Sequence, residues 1–142
     1  MKLADVIHGK SPEIVKIRSD RKIAEAAATM AEKKIGALLV EDESGAITGI
    51  ISERDIVRGL VPHGADLHDV GVAELMTSNL IRCSPDDSVN EAMAMMTDRR
   101  IRHLPVFDGE QLVGFISIGD LVKCRITEVQ AEAEAMREYI AS

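Results

Sequence analysis

GIISERDIV at residues 49–57 and GFISIGDLV at residues 114–122 are one phrase written twice. The likeness extends outward from both. Residues 20–57 read DRKIAEAAATMAEKKIGALLVEDESGAITGIISERDIV, and residues 86–122 read DDSVNEAMAMMTDRRIRHLPVFDGEQLVGFISIGDLV. The copies align at an offset of 66 residues, which drops to 65 after one deletion in a loop. Matches include Glu25/Glu91, Met30/Met96, Ile35/Ile101, Val40/Val106, Gly49/Gly114, Ser52/Ser117 and Asp55/Asp120. A duplication of this kind predicts two copies of one element with two equivalent clefts where they meet, and function is expected in those clefts.

Each copy reads as strand, helix, strand, strand, helix. Ile14, Val15 and Ile17 suggest a short strand. Ile23, Ala26, Ala27 and Met30 fall at helical spacing and predict an amphipathic helix over about 21–33. The apolar run 37–40 predicts a buried strand and 46–51 the next one, joined as a hairpin across the turn cluster 41–45. In the second copy 80–82 stands for the short strand, and Val89, Ala92, Met93 and Met96 mark the helix face. Ser88 and Glu91 are spaced as a capping box. Residues 103–107 and 111–116 form the hairpin, with Pro105 pointing to an edge or an unpaired position. A shorter echo, Leu3 to Ile7 against Val72 to Met76, predicts one helical turn leading into each unit. The organisation expected is therefore a first unit over 1–61, a polar linker over 62–71, a second unit over 72–125 and a C-terminal helix over 126–142. In that helix Ile126, Val129, Ala133, Met136 and Ile140 make a narrow apolar seam, suited either to a partner helix or to packing on its own domain.

Composition narrows the function. At 142 residues the chain is long enough to bury roughly 68–70% of its unfolded surface. It is 46% apolar and 29% charged, which is globular rather than disordered. Phe107, Phe115 and Tyr139 are its aromatics, so a flat ligand would lie against aliphatic side chains. A formal charge of −7 argues against holding a nucleic-acid backbone. No apolar run is long enough to span a membrane, and residues 1–10 lack a signal-peptide core. Cys83 and Cys124 are isolated and read as reduced thiols of a cytoplasmic protein, with a disulfide between them as the alternative. His63, Asp66, His68 and Asp69 read as hydrated loop residues rather than a metal site. No nucleophile stands beside a recognisable base, and no phosphate-loop or protease motif is present, so an enzyme is not expected.

The chemistry concentrates in the repeated G-x-x-S-x-x-D turn. Ser followed three residues later by an acid is also a helix cap. Two copies, each led by Gly49 or Gly114, point further, because a ligand approaching the backbone closely would use such a glycine. A carboxylate can accept both hydroxyls of a cis-diol, as in ribose. A helix N-terminus favours phosphate, and Ser52 and Ser117 add hydroxyl donors. Arg102 and His103 open one strand where Gly36 and Ala37 open its counterpart. The pair of cations suits phosphate, and the small pair leaves room for a base. Arg54 is a further phosphate candidate.

The ordered set IGALLV, GIISERDIV, VAELMT, IRHLPV and GFISIGDLV resembles the tandem cystathionine β-synthase (CBS) domain pair, over about residues 1–125, and in particular small stand-alone bacterial CBS-pair proteins. The resemblance implies an α/β (α+β) fold of two βαββα units packed sheet to sheet with pseudo-two-fold symmetry, plus the C-terminal helix. It implies a homodimer whose clefts bind adenosine compounds: AMP, ADP, ATP, NAD(H) or S-adenosylmethionine. Carried over, Asp55 and Asp120 become ribose acceptors. Ser52, Arg54, Arg102, His103 and Ser117 become phosphate contacts, and the backbone at Ile35, Gly36 and Ala37 meets adenine. The second turn departs from the first, with Ile118-Gly119 in place of Glu53-Arg54, and so lacks a charge there. The expected function is regulation in trans of an unknown protein by an adenine nucleotide, AMP first, with no metal, nucleic acid or membrane partner. The alternatives are an NAD(H) or S-adenosylmethionine sensor of the same fold, or a pure assembly module in which the turns act only as caps.

Overall fold

A computed structural model describes residues 1–10 and 13–142. They fall into two compact units, one of residues 13–81 and one joining the N-terminal segment to residues 82–142. In the first, β1 (Lys16–Arg18), α2 (Ile23–Lys33), β2 (Ala37–Glu41), β3 (Ile47–Ser52) and α3 (Glu53–His63) follow the expected order. β2 lies between β1 and β3, parallel to β1 and antiparallel to β3. The parallel pair is possible because α2 carries the chain back across the sheet. Residues 37–40 are all buried, as an unbroken apolar run requires of a central strand. Ile23, Ala26 and Met30 turn one face of α2 onto Ile17, Leu38, Val40 and Ile51.

The segment expected to be a polar linker is built into this core instead. α3 runs through Pro62 to His63, a 3-10 helix follows over Gly64–Asp69, and α4 spans Val72–Leu75. Leu67 and Val72 are buried against the residues above. Leu67 and Val70, spaced three apart in an otherwise mostly polar run, dock the segment.

The second unit contains α1 (Leu3–His8), α5 (Val89–Arg99), β4 (His103–Asp108), β5 (Gln111–Ser117) and α6 (Ile118–Ala141). Its hairpin matches that of the first unit down to a register shift at the same place, after Val40 and after Val106. The strand expected over 80–82 does not form. Only an isolated parallel bridge joins Cys83 to Val106, with Cys83 N–H donating to Pro105 O (3.1 Å) and Phe107 N–H donating to Cys83 O (2.8 Å). Pro105 supplies the reason. In the first copy its counterpart, Leu39, donates its N–H to Val15 O (3.4 Å) and so extends the ladder. Proline has no such donor, and the ladder stops.

The leading turns are exchanged between the copies. α1 precedes the first repeat but docks on the second: Leu3 N–H donates to Asp87 O (2.9 Å), Ala4 N–H to Pro85 O (3.0 Å), and Val89 N–H to Met1 O (3.0 Å). α4 precedes the second repeat but docks on the first through the equivalent set: Val72 N–H to Arg21 O (2.8 Å), Ala73 N–H to Ser19 O (3.2 Å), and Ile23 N–H to Val70 O (2.8 Å). Each leading turn thus docks on the copy it does not immediately precede. The compact units depart from sequence order at both ends of the expected 1–61 and 72–125 segments.

Candidate functional site

The repeated turn has the same geometry in both copies. Ser52 and Ser117 are the N-caps of α3 and α6. Asp55 Oδ2 accepts from Ser52 N–H (2.9 Å) and Oγ–H (3.0 Å), while Ser52 Oγ accepts from Asp55 N–H (3.3 Å). Asp120 Oδ2 accepts from Ser117 N–H (2.8 Å), and Ser117 Oγ accepts from Asp120 N–H (3.2 Å). The first amide of each helix is also taken: Glu53 N–H donates to Gly36 O (3.0 Å) and Ile118 N–H to Arg102 O (2.8 Å). Two of the first three amides are therefore satisfied internally in each helix. That leaves the helix ends poorer in donors than the sequence suggested.

The glycines that lead the turns have a packing explanation. A Cβ on Gly49 would stand 2.8 Å from both Met76 Sδ and Thr77 O. A Cβ on Gly114 would stand 2.7 Å from Cγ1 and Cδ1 of Ile7. Met76 and Ile7 are equivalent residues of the two leading turns. The bare backbone at each glycine receives the exchanged turn, which accounts for the missing side chain without a ligand.

The exchange also brings in two residues that the sequence reading missed. Thr77 Oγ1 donates to Asp55 Oδ1 (3.3 Å). Lys10 Nζ donates to Asp120 Oδ2 (2.6 Å) and to Phe115 O (2.8 Å). The second turn, which lacks a charge at Ile118-Gly119, thus receives one from the chain's far end. Burial works against ionisation of Asp120, but the hydrogen bonds from Lys10 and Ser117 outweigh it and hold the carboxyl below its usual range. A separation of 110 residues hides this pair from any local motif.

His103 sits opposite Ser117 across the hairpin, half-buried, with its ring 5.6 Å from that of Phe115. Burial pushes its pKa below 6.5, the Asp120 carboxylate opposes the shift, and Lys10 and Arg102 reinforce it. The ring is accordingly neutral at neutral pH and offers one N–H donor. The unfolded chain binds this proton more readily than the folded one. Stability is therefore fully present above about pH 6.5 and is lost as the pH falls toward the lower folded value. Thermal melts between about pH 7.5 and pH 5.5 should show the midpoint falling with acid, and His103→Gln should flatten the fall. An unchanged slope in that variant would assign the acid sensitivity elsewhere.

Among the remaining candidates, Ala37 is buried and pairs with Ser52 across β2 and β3, so residues 35–37 and the first turn are adjacent in one unit. Arg54 is exposed in the first turn of α3. Arg102 and His103 lie at the start of β4, beside Ser117 and Asp120 in the other unit. Ile35 and Gly36 also line an open recess of about 580 Å³ with Met30, Lys34, Glu53 and Val57. Glu53, the first residue of α3, belongs to that lining and donates its N–H to Gly36 O, so the recess lies beside the capped turn.

Among the described residues no group of three or more His, Cys, Asp or Glu is placed to hold a metal ion. His63 faces Glu74 and His68 faces Asp69, at 3.7 and 3.2 Å. Cys83 and Cys124 are free thiols, and burial pushes Cys83 up to about 11, which makes it a poor nucleophile at neutral pH. No helix among the described residues is long and apolar enough to cross a membrane.

Two exchanged leading turns, two copies of one α/β unit and a doubled strand-to-helix aspartate define a tandem-repeat architecture. The CBS domain family model matches residues 4–62 and 72–126, and the chain belongs to that family. The mitochondrial CBS domain-containing protein CBSX3 of Arabidopsis thaliana is 36% identical over 126 residues, covering 86% of this chain and 61% of its own length. The chain thus spans less than two thirds of that relative. A CBS-domain-containing protein of Agrobacterium tumefaciens, solved by crystallography, superposes with a TM-score of 0.85 at 39% identity, covering 87% of this chain and 92% of the other. The CBS domain pair of protein MJ0100, solved in complex with 5′-methylthioadenosine and S-adenosyl-L-methionine, has a TM-score of 0.77 at 26% identity, covering 90% of this chain and 98% of the other.

Proposed function

We propose that this chain is a regulatory module that binds an adenine nucleotide, AMP first among the candidates, and acts as a homodimer on a separate protein. The observation that carries this reading is the equivalence of the two Ser–Asp turns, each at a strand-to-helix junction, in a fold whose MJ0100 relative holds adenosine derivatives. Asp55 and Asp120 would accept the ribose hydroxyls. Ser52 and Arg54 in one copy, and Arg102, His103 and Ser117 in the other, would meet phosphate, and the backbone at Ile35, Gly36 and Ala37 would meet adenine. Lys10 joins this set as a cation beside Asp120. A ribose that reached Asp120 would have to share the carboxylate with Lys10 and Ser117, and one at Asp55 would have to share it with Ser52 and Thr77. Binding regulates only if the ligand prefers one of two states of the module.

A second reading is favoured by the caps. Both aspartates already serve their own helices, and both glycines are accounted for by Ile7 and Met76, as a module built purely for assembly would have it. Thermal melting with AMP, ADP, ATP, NAD⁺, NADH and S-adenosylmethionine separates the two. At about 100 times the dissociation constant a ligand adds roughly 2.7 kcal/mol, which raises the melting point by several degrees. Asp55→Asn and Asp120→Asn keep a capping oxygen and should each remove one site's share of the shift. If none of the six compounds moves the midpoint, the nucleotide reading is lost and the assembly reading stands.

A further inference from the structure

α6 is far longer than its packing requires. Its first turn is anchored by Leu121, which is fully buried, and Glu128 is tied to the Met1 amine (3.3 Å) and to Arg125 (3.0 Å). From Val129 to Ala141 every residue is exposed, so about half of the 24-residue helix has no buried face. A free helix of this length is marginal in water, and helices in proteins are held mainly by packing an apolar face. The face is present. Val122, Ile126, Val129, Ala133, Met136 and Ile140 recur at spacings of four, three, four, three and four, and the large members are 38–78% exposed. This is the heptad row of a two-stranded coil.

We propose that the row pairs with the same row of a second copy of this chain, parallel and in register. The charges flanking the row select both the occupant and the direction. Lys123, Gln130 and Arg137 follow one side, and Arg125, Glu132 and Tyr139 the other. In a parallel pair a residue on the second side meets the one five positions further along the other helix. Glu132 then faces Arg137 of the partner subunit, and symmetry repeats the pair, while Arg125 meets an uncharged glutamine. The antiparallel arrangement that overlaps the whole row sets Val129 against alanine. It brings Glu132 against its own copy and Lys123 against arginine, so like charges oppose on both flanks. This inference specifies the homodimer of the proposed function but does not depend on the nucleotide, and a failure to bind AMP leaves it untouched.

Sedimentation equilibrium of the full chain tests it, with far-UV circular dichroism as the check on folding, since every substituted position is exposed or partly exposed. The wild type should be a dimer, and Met136→Glu should weaken it at least about tenfold by removing an apolar contact from both chains. Glu132→Arg and Arg137→Glu should each weaken the dimer several-fold, and the two together should restore it. In a Cys124→Ser background, Met136→Cys should form an intermolecular disulfide on oxidation, because in-register parallel chains place that position beside itself. A monomer at every concentration, or a dimer indifferent to Met136→Glu, overturns the proposal. So does a dimer strengthened by Arg137→Glu that forms no disulfide at position 136, which is the antiparallel result.

Discussion

Leu3→Ala is expected to cost about 2–5 kcal/mol and to loosen the second repeat, not the first that it precedes in sequence. Leu3 is fully buried and Val6 is 4% exposed, both on a helix of only six residues. That helix is held by hydrogen bonds to Asp87 and Pro85, and the Ile7 beside them fills the space over Gly114. Shortening Leu3 leaves a cavity where α1 docks, and a helix this short has no local stability to compensate. Amide hydrogen exchange should therefore quicken in β4, β5 and α5, while β2, β3 and α2 keep their protection. The opposite distribution would mean that the leading turns are not exchanged, and the architecture described here would be wrong.

Gly49→Ala is expected to destabilise by about 1–3 kcal/mol, a loss on the order of several degrees in melting temperature. The new methyl would meet two atoms at 2.8 Å. Met76 Sδ ends a flexible side chain and can move. Thr77 O cannot, because Thr77 is locked to Ile50 by a reciprocal pair of hydrogen bonds, Ile50 N–H to Thr77 O (2.9 Å) and Thr77 N–H to Ile50 O (2.8 Å). Gly114→Ala is the informative comparison. The three atoms nearest its methyl all belong to the Ile7 side chain, so Ile7→Ala in the same chain should recover part of the loss. Met76→Ala should recover less at Gly49, where the backbone oxygen remains. Equal rescue at both sites would contradict the distinction between yielding and fixed neighbours.

Much of this molecule was legible in its residues. The doubled phrase announced two units of one kind, and the period of the apolar residues placed α2, α5 and both hairpins close to where they lie. The pairs Met30 and Met96, Val40 and Val106, and Ile51 and Ile116 are buried in both copies, as a repeated core demands. The proline at 105 flagged a disturbed strand, and comparison with Leu39 explains the disturbance in terms of one missing donor. The polar character of 62–71 was less reliable as a linker signal, because Leu67 and Val70 outweighed their neighbours once a core was near.

The linear order of residues determined the repeat, the period of each element and the serine–aspartate caps, since these depend on neighbours within one turn of helix or one hairpin. Tertiary structure alone decided which leading turn docks on which copy, why Gly49 and Gly114 must be bare, and that Lys10 reaches Asp120. Those outcomes rest on close packing and charge pairing between segments about a hundred residues apart, or folded back from a neighbouring turn. No periodicity records such meetings, because they are chosen by the shape of the surfaces that remain once local structure has formed.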